Sequence, residues 1–323
     1  MEAVPLTLPH LPAQDSSSSS QRPDAPRYWS APRKPLTLRP LELWHLASLD
    51  APTVAIVWSL DFAWAAGVRL AGWVAPLLAL TVWSVYVFDR LLDARTALRT
   101  SEMGRLRERH YFHWRHRRAL FPLALVAAGA SAGLIAVFMP MAARERDSVL
   151  AAASLVYFAR VHARPRLRPF LSPLLTKELL VGLLFTVGCV LPALGAVWAA
   201  HGARWPLLCA AAFFAPLAWL NCHAIDEWES EKADHSDART QARRRNSFSA
   251  ACLLAAGGAV LAAAVCVAHP RAGLLLAAGA VSALLLALLD RKRGSLSPVA
   301  LRAAADFVLL APAPLLALVW LAR

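Results

Sequence analysis

The chain has 323 residues, 58% of them hydrophobic and 17% charged, with a mean hydropathy of +0.46. The charged share lies below the roughly 25% of an ordinary soluble domain, which sets the soluble globular class aside and reads as a polytopic membrane protein. A formal charge of +13 suits either nucleic acid or a membrane surface, so the placement of the basic residues has to decide.

Residues 1 to 42 hold Pro5, Pro9, Pro12, Pro23, Pro26, Pro32, Pro35 and Pro40 and the run Ser16 to Ser20. Such a composition cannot bury enough apolar surface to fold, and a disordered cytoplasmic tail is expected. No basic stretch followed by a short apolar run precedes it, so no cleaved signal peptide is expected. The remainder, 43 to 323, forms the membrane domain. Apolar segments fall near 46 to 66, 70 to 92, 118 to 139, 147 to 161, 176 to 199, 205 to 225, 248 to 268, 271 to 289 and 301 to 321. Most approach the roughly 20 residues that cross a hydrocarbon core as a helix, and the expected fold is all-α with nine spans.

Charge alternation supports that count. Of the 34 Lys and Arg, 28 fall in the tail and in the stretches 90 to 118, 160 to 177, 232 to 245 and 291 to 302. Only Arg69, Arg144, Arg146, Arg204, Arg271 and Arg323 fall on the other side. The positive-inside rule then places the N-terminus in the cytoplasm and the C-terminus outside. It also spreads the basic residues over five segments, with no nucleic-acid signature among them, so nucleic-acid binding is set aside.

Two acidic clusters close apolar segments on the cytoplasmic side: Asp89 and Asp93 in VYVFDRLLD, and Asp226, Glu227, Glu229, Glu231 and Asp234 in NCHAIDEWESEKAD. Ionised side chains at the edge of a span are usually paired, hydrated or metal-bound. Asp89 and Asp93 are four apart, so on a continuous helix their carboxylates share a face about one turn apart. A divalent cation relieves their repulsion, and Mg2+ commonly takes one or two carboxylates beside waters and phosphates. Asp226 and Asp234, eight apart, share a second face. Glu227 and Glu231 are expected to be solvated.

With these residues the chain resembles the UbiA superfamily of intramembrane prenyltransferases. The family motif NxxxDxxxD falls on Val85, Asp89 and Asp93, and DxxxDxxxD falls on Asp226, Ser230 and Asp234. Val85 replaces the Asn and Ser230 the middle acid. The resemblance implies nine helices around a central cavity and a site in which Asp89, Asp93, Asp226 and Asp234 bind Mg2+. It implies an enzyme that transfers a prenyl group from an isoprenyl diphosphate to a small aromatic or lipidic acceptor, with Arg95, Arg99 and Lys177 as diphosphate contacts. The expected location is the bacterial cytoplasmic membrane. The alternatives are a diverged, non-catalytic member that binds lipid diphosphate, and a carboxylate-dependent transporter.

Other signals receive ordinary readings. His110, His113 and His116 lie in an Arg-rich stretch that repels a cation, and a basic interfacial helix with Tyr111, Phe112 and Trp114 toward lipid is expected. Gly129 and Gly133 form a GxxxG, for which close helix packing is expected. Asp50, Asp61 and Asp306 are expected to be hydrated near span ends. The five cysteines read as small packing residues.

Overall fold

The computed structural model describes residues 40 to 100, 107 to 162, 177 to 231 and 238 to 321. Within these, the side chains of 99, 100, 160 to 162, 230, 231, 238 to 246 and 318 to 321 lie outside the description, as do the tail up to residue 39 and Asp234. The described chain is helical, with no strand. In chain order the helices are α1 Pro40–Leu46, α2 Asp50–Ala65, α3 Val74–Thr100, α4 Glu108–Arg115, α5 Arg117–Phe138, α6 Met141–His162 and α7 Lys177–Ala199. They continue with α8 Trp205–Glu231, α9 Ala238–Cys266, α10 Pro270–Lys292, α11 Pro298–Val308 and α12 Ala313–Leu321.

Six helices among the described residues are long and apolar enough to cross a membrane: α3, α5, α7, α8, α9 and α10. The pair α1 and α2, bent by 92°, makes a seventh if taken as one span. Two of the nine expected spans do not reach this standard. The opening turns of α6 carry Arg144, Glu145, Arg146 and Asp147, which dilute its apolar run. The last segment breaks between Leu309 and Pro312 into helices of 11 and 9 residues. Pro312 has no N–H to donate and pushes the residue before it out of the helical region.

The break is used rather than wasted, because the Trp58 indole of α2 donates to the freed Leu309 carbonyl at 2.9 Å. Trp58 also stacks on Phe214 of α8 at 3.9 Å between centroids, and Phe62 meets the same ring edge-on. Where lipid is as apolar as leucine, such packing contacts, rather than expulsion from water, hold helices together. Small residues set the distances. A Cβ on Gly182 of α7 would lie 2.8 Å from the Trp219 backbone nitrogen, so α7 and α8 approach more closely there than any other residue allows.

The GxxxG of α5 behaves differently from expectation. A Cβ added at Gly129 or Gly133 would meet nothing within 4 Å, so among the described residues no helix packs on either glycine. Exposed Leu125, Val126, Val137 and Phe138 continue that outward face. An apolar groove of about 500 Å³ between α9 and α10, lined by Ala255, Ala259, Ala262, Gly273, Ala277 and Leu284 among others, carries no charged side chain. The chemistry-bearing groups gather instead around α1, α3, α4, α8 and α11.

Candidate functional site

The first group lies at the elbow between α1 and α2. Ser48, fully buried, takes φ of 60°, a left-handed conformation that costs a non-glycine residue about 1 to 2 kcal/mol. Its surroundings hold it there. Arg90 of α3, 4% exposed, donates through Nη1 to Ser48 Oγ at 2.6 Å and to the His45 carbonyl at 3.1 Å. The Trp83 indole donates to the Ala47 carbonyl at 3.0 Å. The carbonyls freed where α1 ends therefore find donors on α3.

Around the same elbow His45 Nδ1 donates to Asp50 Oδ2 at 2.5 Å and lies 3.3 Å from Asp306 Oδ2. Arg90 Nη2 stands 3.8 Å from Asp50 Oδ2, and Asn221 of α8 donates to Asp306 Oδ1 at 3.2 Å. Asp50 and Asp306 were expected to be hydrated. Asp50 is instead buried, and Asp306, whose side chain keeps 19% of its surface, is tied into an ion-pair network. Asp61 is also buried, and neither of its oxygens has a hydrogen-bond partner among the described residues.

His45, Asp50 and Asp306 bring three ligand-capable atoms within 4.8 Å of one another, the one such group among the described residues. Imidazole with two carboxylates is a donor set that divalent metals accept. Here, however, Nδ1 already donates to a carboxylate and Arg90 stands beside it. With His45 protonated, two anions face two cations and the group is balanced without a metal. It is a staple joining α1, α2, α3, α8 and α11.

The second group contains the predicted acidic motif. α3 stays helical beyond Leu92, so half-buried Asp89 and Asp93 do share a face. Asp93 Oδ2 lies 3.7 Å from His110 Nε2. His110 Nδ1 accepts from the Arg107 backbone N–H at 3.0 Å, which leaves the ring proton on Nε2, directed at Asp93. Arg109 of α4 pairs in turn with Glu229 of α8, so the ends of α3, α4 and α8 meet here.

The remaining predicted residues are less gathered. Arg95 and Lys177 are exposed, Asp226 is exposed near the end of α8, and Arg99 lies on α3 with its side chain outside the description. Asp234 lies outside the described residues, as does the side chain of Ser230. Asp89, Asp93 and Asp226 do not form a group of three ligand atoms within 4.8 Å.

Helix α4 corrects the interfacial reading of the histidines. His110 and His113, three apart and hence on one face, point inward and are 6% and 0% exposed, while His116 and Arg115 are exposed. His113 Nδ1 donates to the Arg109 carbonyl at 2.8 Å, and its Nε2 lies 3.0 Å from Ser48 Oγ. The Ser48 hydroxyl accepts from Arg90 and passes its own proton toward His113. That chain needs a neutral imidazole. Burial, followed by the nearby Arg90 charge, lowers the His113 pKa to about 4, and burial followed by Arg109 lowers that of His110 to about 3. Neutral rings enter without a counter-ion, whereas Arg109 of the same helix is half-buried only with Glu229 as its partner.

Glu227 departs from the expected solvated state, because it is buried and accepts a hydrogen bond from Ser247 of α9. Glu229 pairs with Arg107, Arg109 and Arg302. Signals for the elbow existed in the sequence: Asp50 and Pro52 form the acidic, proline-bearing opening of a new helix inside what reads as one apolar run. Comparison with protein-family models, curated proteins and solved structures gives no match.

Proposed function

We propose that the chain is an integral membrane prenyltransferase of the UbiA type, with nine membrane segments and a cytoplasmic N-terminus, in a bacterial cytoplasmic membrane. It transfers a prenyl group from an isoprenyl diphosphate to a small aromatic or lipidic acceptor. One observation carries this reading: Asp89 and Asp93 share one half-buried face toward the end of a long apolar helix, with His110 of α4 3.7 Å from Asp93. Half-buried carboxylates at a span end suit a ligand that brings both metal and phosphate.

Asp89 and Asp93 supply hard oxygens in the number that Mg2+ takes from protein, and so fit that ion. When bound, Mg2+ supplies Lewis-acid stabilisation of a departing diphosphate. His110 stands beside Asp93, with Nε2 3.7 Å from its Oδ2. Lys177 and Arg95 are exposed cations that can meet phosphate oxygens, and Arg99 belongs to the same helix end. Asp226 and Asp234 complete the proposed ligand set from the end of α8 and beyond.

The non-catalytic alternative draws on a specific observation as well. Val85 supplies no oxygen in the first motif, and Glu229, which adjoins Ser230, is held by three arginines. The test uses purified protein with Mg2+ and labelled isoprenyl diphosphates of several chain lengths, comparing the parent with Asp89→Ala and Asp226→Ala. Metal-dependent diphosphate release lost in either variant supports the enzyme. Binding without release in the parent turns the reading to the non-catalytic member, and no response to Mg2+ or to either change removes the site.

A further inference from the structure

Arg107, the residue that caps the start of α4, Arg109 of α4 and Arg302 of α11 converge on the side chain of Glu229 at the end of α8. Arg109 Nη1 lies 2.9 Å from Oε1 and Arg107 Nε 3.3 Å from Oε2, while Arg302 Nη1 bonds Oε1. Arg107 Nη2 also donates to the Glu229 backbone carbonyl at 3.3 Å. Among the described residues Glu229 is the carboxylate paired with Arg107 and with Arg302. Glu229 is also the carboxylate in direct contact with Arg109. Among the described residues, one directly paired carboxylate therefore answers three guanidiniums.

An excess of cations held this closely is unfavourable without a further anion, because the guanidiniums repel one another and are partly removed from water. The four side chains keep between 16% and 36% of their surface, so solvent reaches them. Planar guanidinium forks match phosphate oxygens as well as they match a carboxylate, and a phosphate brings more charge and more acceptor oxygens than one glutamate can. We infer that Arg107, Arg109 and Arg302 form a binding site for a phosphate group, and that Glu229 is the internal anion filling it when no ligand is present.

The helices involved give the exchange a consequence. The cations come from α4 and α11, whereas Glu229 comes from α8. A phosphate that replaces Glu229 keeps α4 bridged to α11 and releases the end of α8, which also carries Asp226. The inference does not depend on Asp89 and Asp93 holding a metal.

The test uses the full chain in detergent with EDTA present and inorganic pyrophosphate as the probe, followed by calorimetry. Glu229→Gln keeps the shape and removes the competing charge, and binding is expected to tighten about tenfold, a change of about 1.4 kcal/mol. Arg302→Gln is expected to weaken it by a similar factor, with Arg302→Lys in between because the charge stays and the fork is lost. Glu229→Gln that lowers the melting temperature and leaves pyrophosphate binding unchanged makes the contact a structural brace and overturns the site. Absence of any effect in both Arg302 variants overturns it too, even if Glu229→Gln fails to fold. Protein reconstituted in phosphatidylcholine with and without phosphatidic acid separates the sources: competition by phosphatidic acid assigns the site to a lipid headgroup, and equal binding in both membranes assigns it to a soluble phosphate. With metal absent throughout, failure here leaves the Mg2+-dependent reading intact.

Discussion

Asp50 and Asp89 lie on adjoining helices, α2 and α3, and their surroundings differ. Asp50 is buried, bonded to His45 and close to Arg90, and its charge is spent inside the protein. Asp89 is half-buried and shares its face with Asp93, which keeps 33% of its side-chain surface and lies 3.7 Å from the His110 imidazole. The difference teaches that a carboxylate in an apolar sequence is either shut away from solvent with the groups that hold it or left partly exposed, and that burial separates the two.

The sharpest way to break this contrast is to remove each carboxylate and compare stability with activity. Asp50→Ala leaves the charges of Arg90 and His45 short of an anion in a buried setting, and is expected to cost about 3 to 5 kcal/mol, as removal of one partner of a buried pair does. Thermal unfolding in detergent checks it, and an unchanged melting temperature would dissolve the distinction between the two regions. Asp89→Ala should do the reverse, lowering Mg2+-dependent diphosphate release by about 100-fold or more while moving the melting temperature little. A loss of folding equal to that of Asp50→Ala would make Asp89 a staple as well.

Smaller changes sharpen the same contrast. Ser48→Ala removes the hydroxyl that links Arg90 to His113 and leaves His113 Nε2 without its donor and Arg90 Nη1 without one of its acceptors, a cost of about 1 to 3 kcal/mol in unfolding experiments. The pH dependence should be gentler. The folded-state pKa of His113 is lowered from 6.5 to about 4, so between those values the unfolded chain binds the proton and the folded chain does not. Stability due to His113 is thus fully present above pH 6.5 and is lost as the pH falls toward 4. His113→Gln, neutral throughout, should flatten the slope of melting temperature against pH in that window.

Several of these features are legible in the chain and others are not, for reasons that individual residues make plain. Asp89 and Asp93 stand out because an ion beside an apolar run is costly, and their four-residue spacing survives because α3 continues through them. The inward turn of His110 and His113 is hidden. Their neighbours are arginines, and only the helix phase, together with Ser48 from 65 residues away, shows which face is buried. Asp306 is a lone acid in an alanine-rich helix whose meaning depends on His45 and Asn221, both remote in sequence. Glu229 is one acid among several in the sequence until the tertiary fold brings three arginines to it.

The sequence by itself determines that the chain is helical and membrane-embedded, because long apolar runs must satisfy their backbone internally and are separated by biased charge. It also determines where the unusual carboxylates are. Only the tertiary structure decides what each one does. Whether a charge is balanced depends on side chains that arrive from other helices, across distances of a few ångströms that no spacing along the chain encodes.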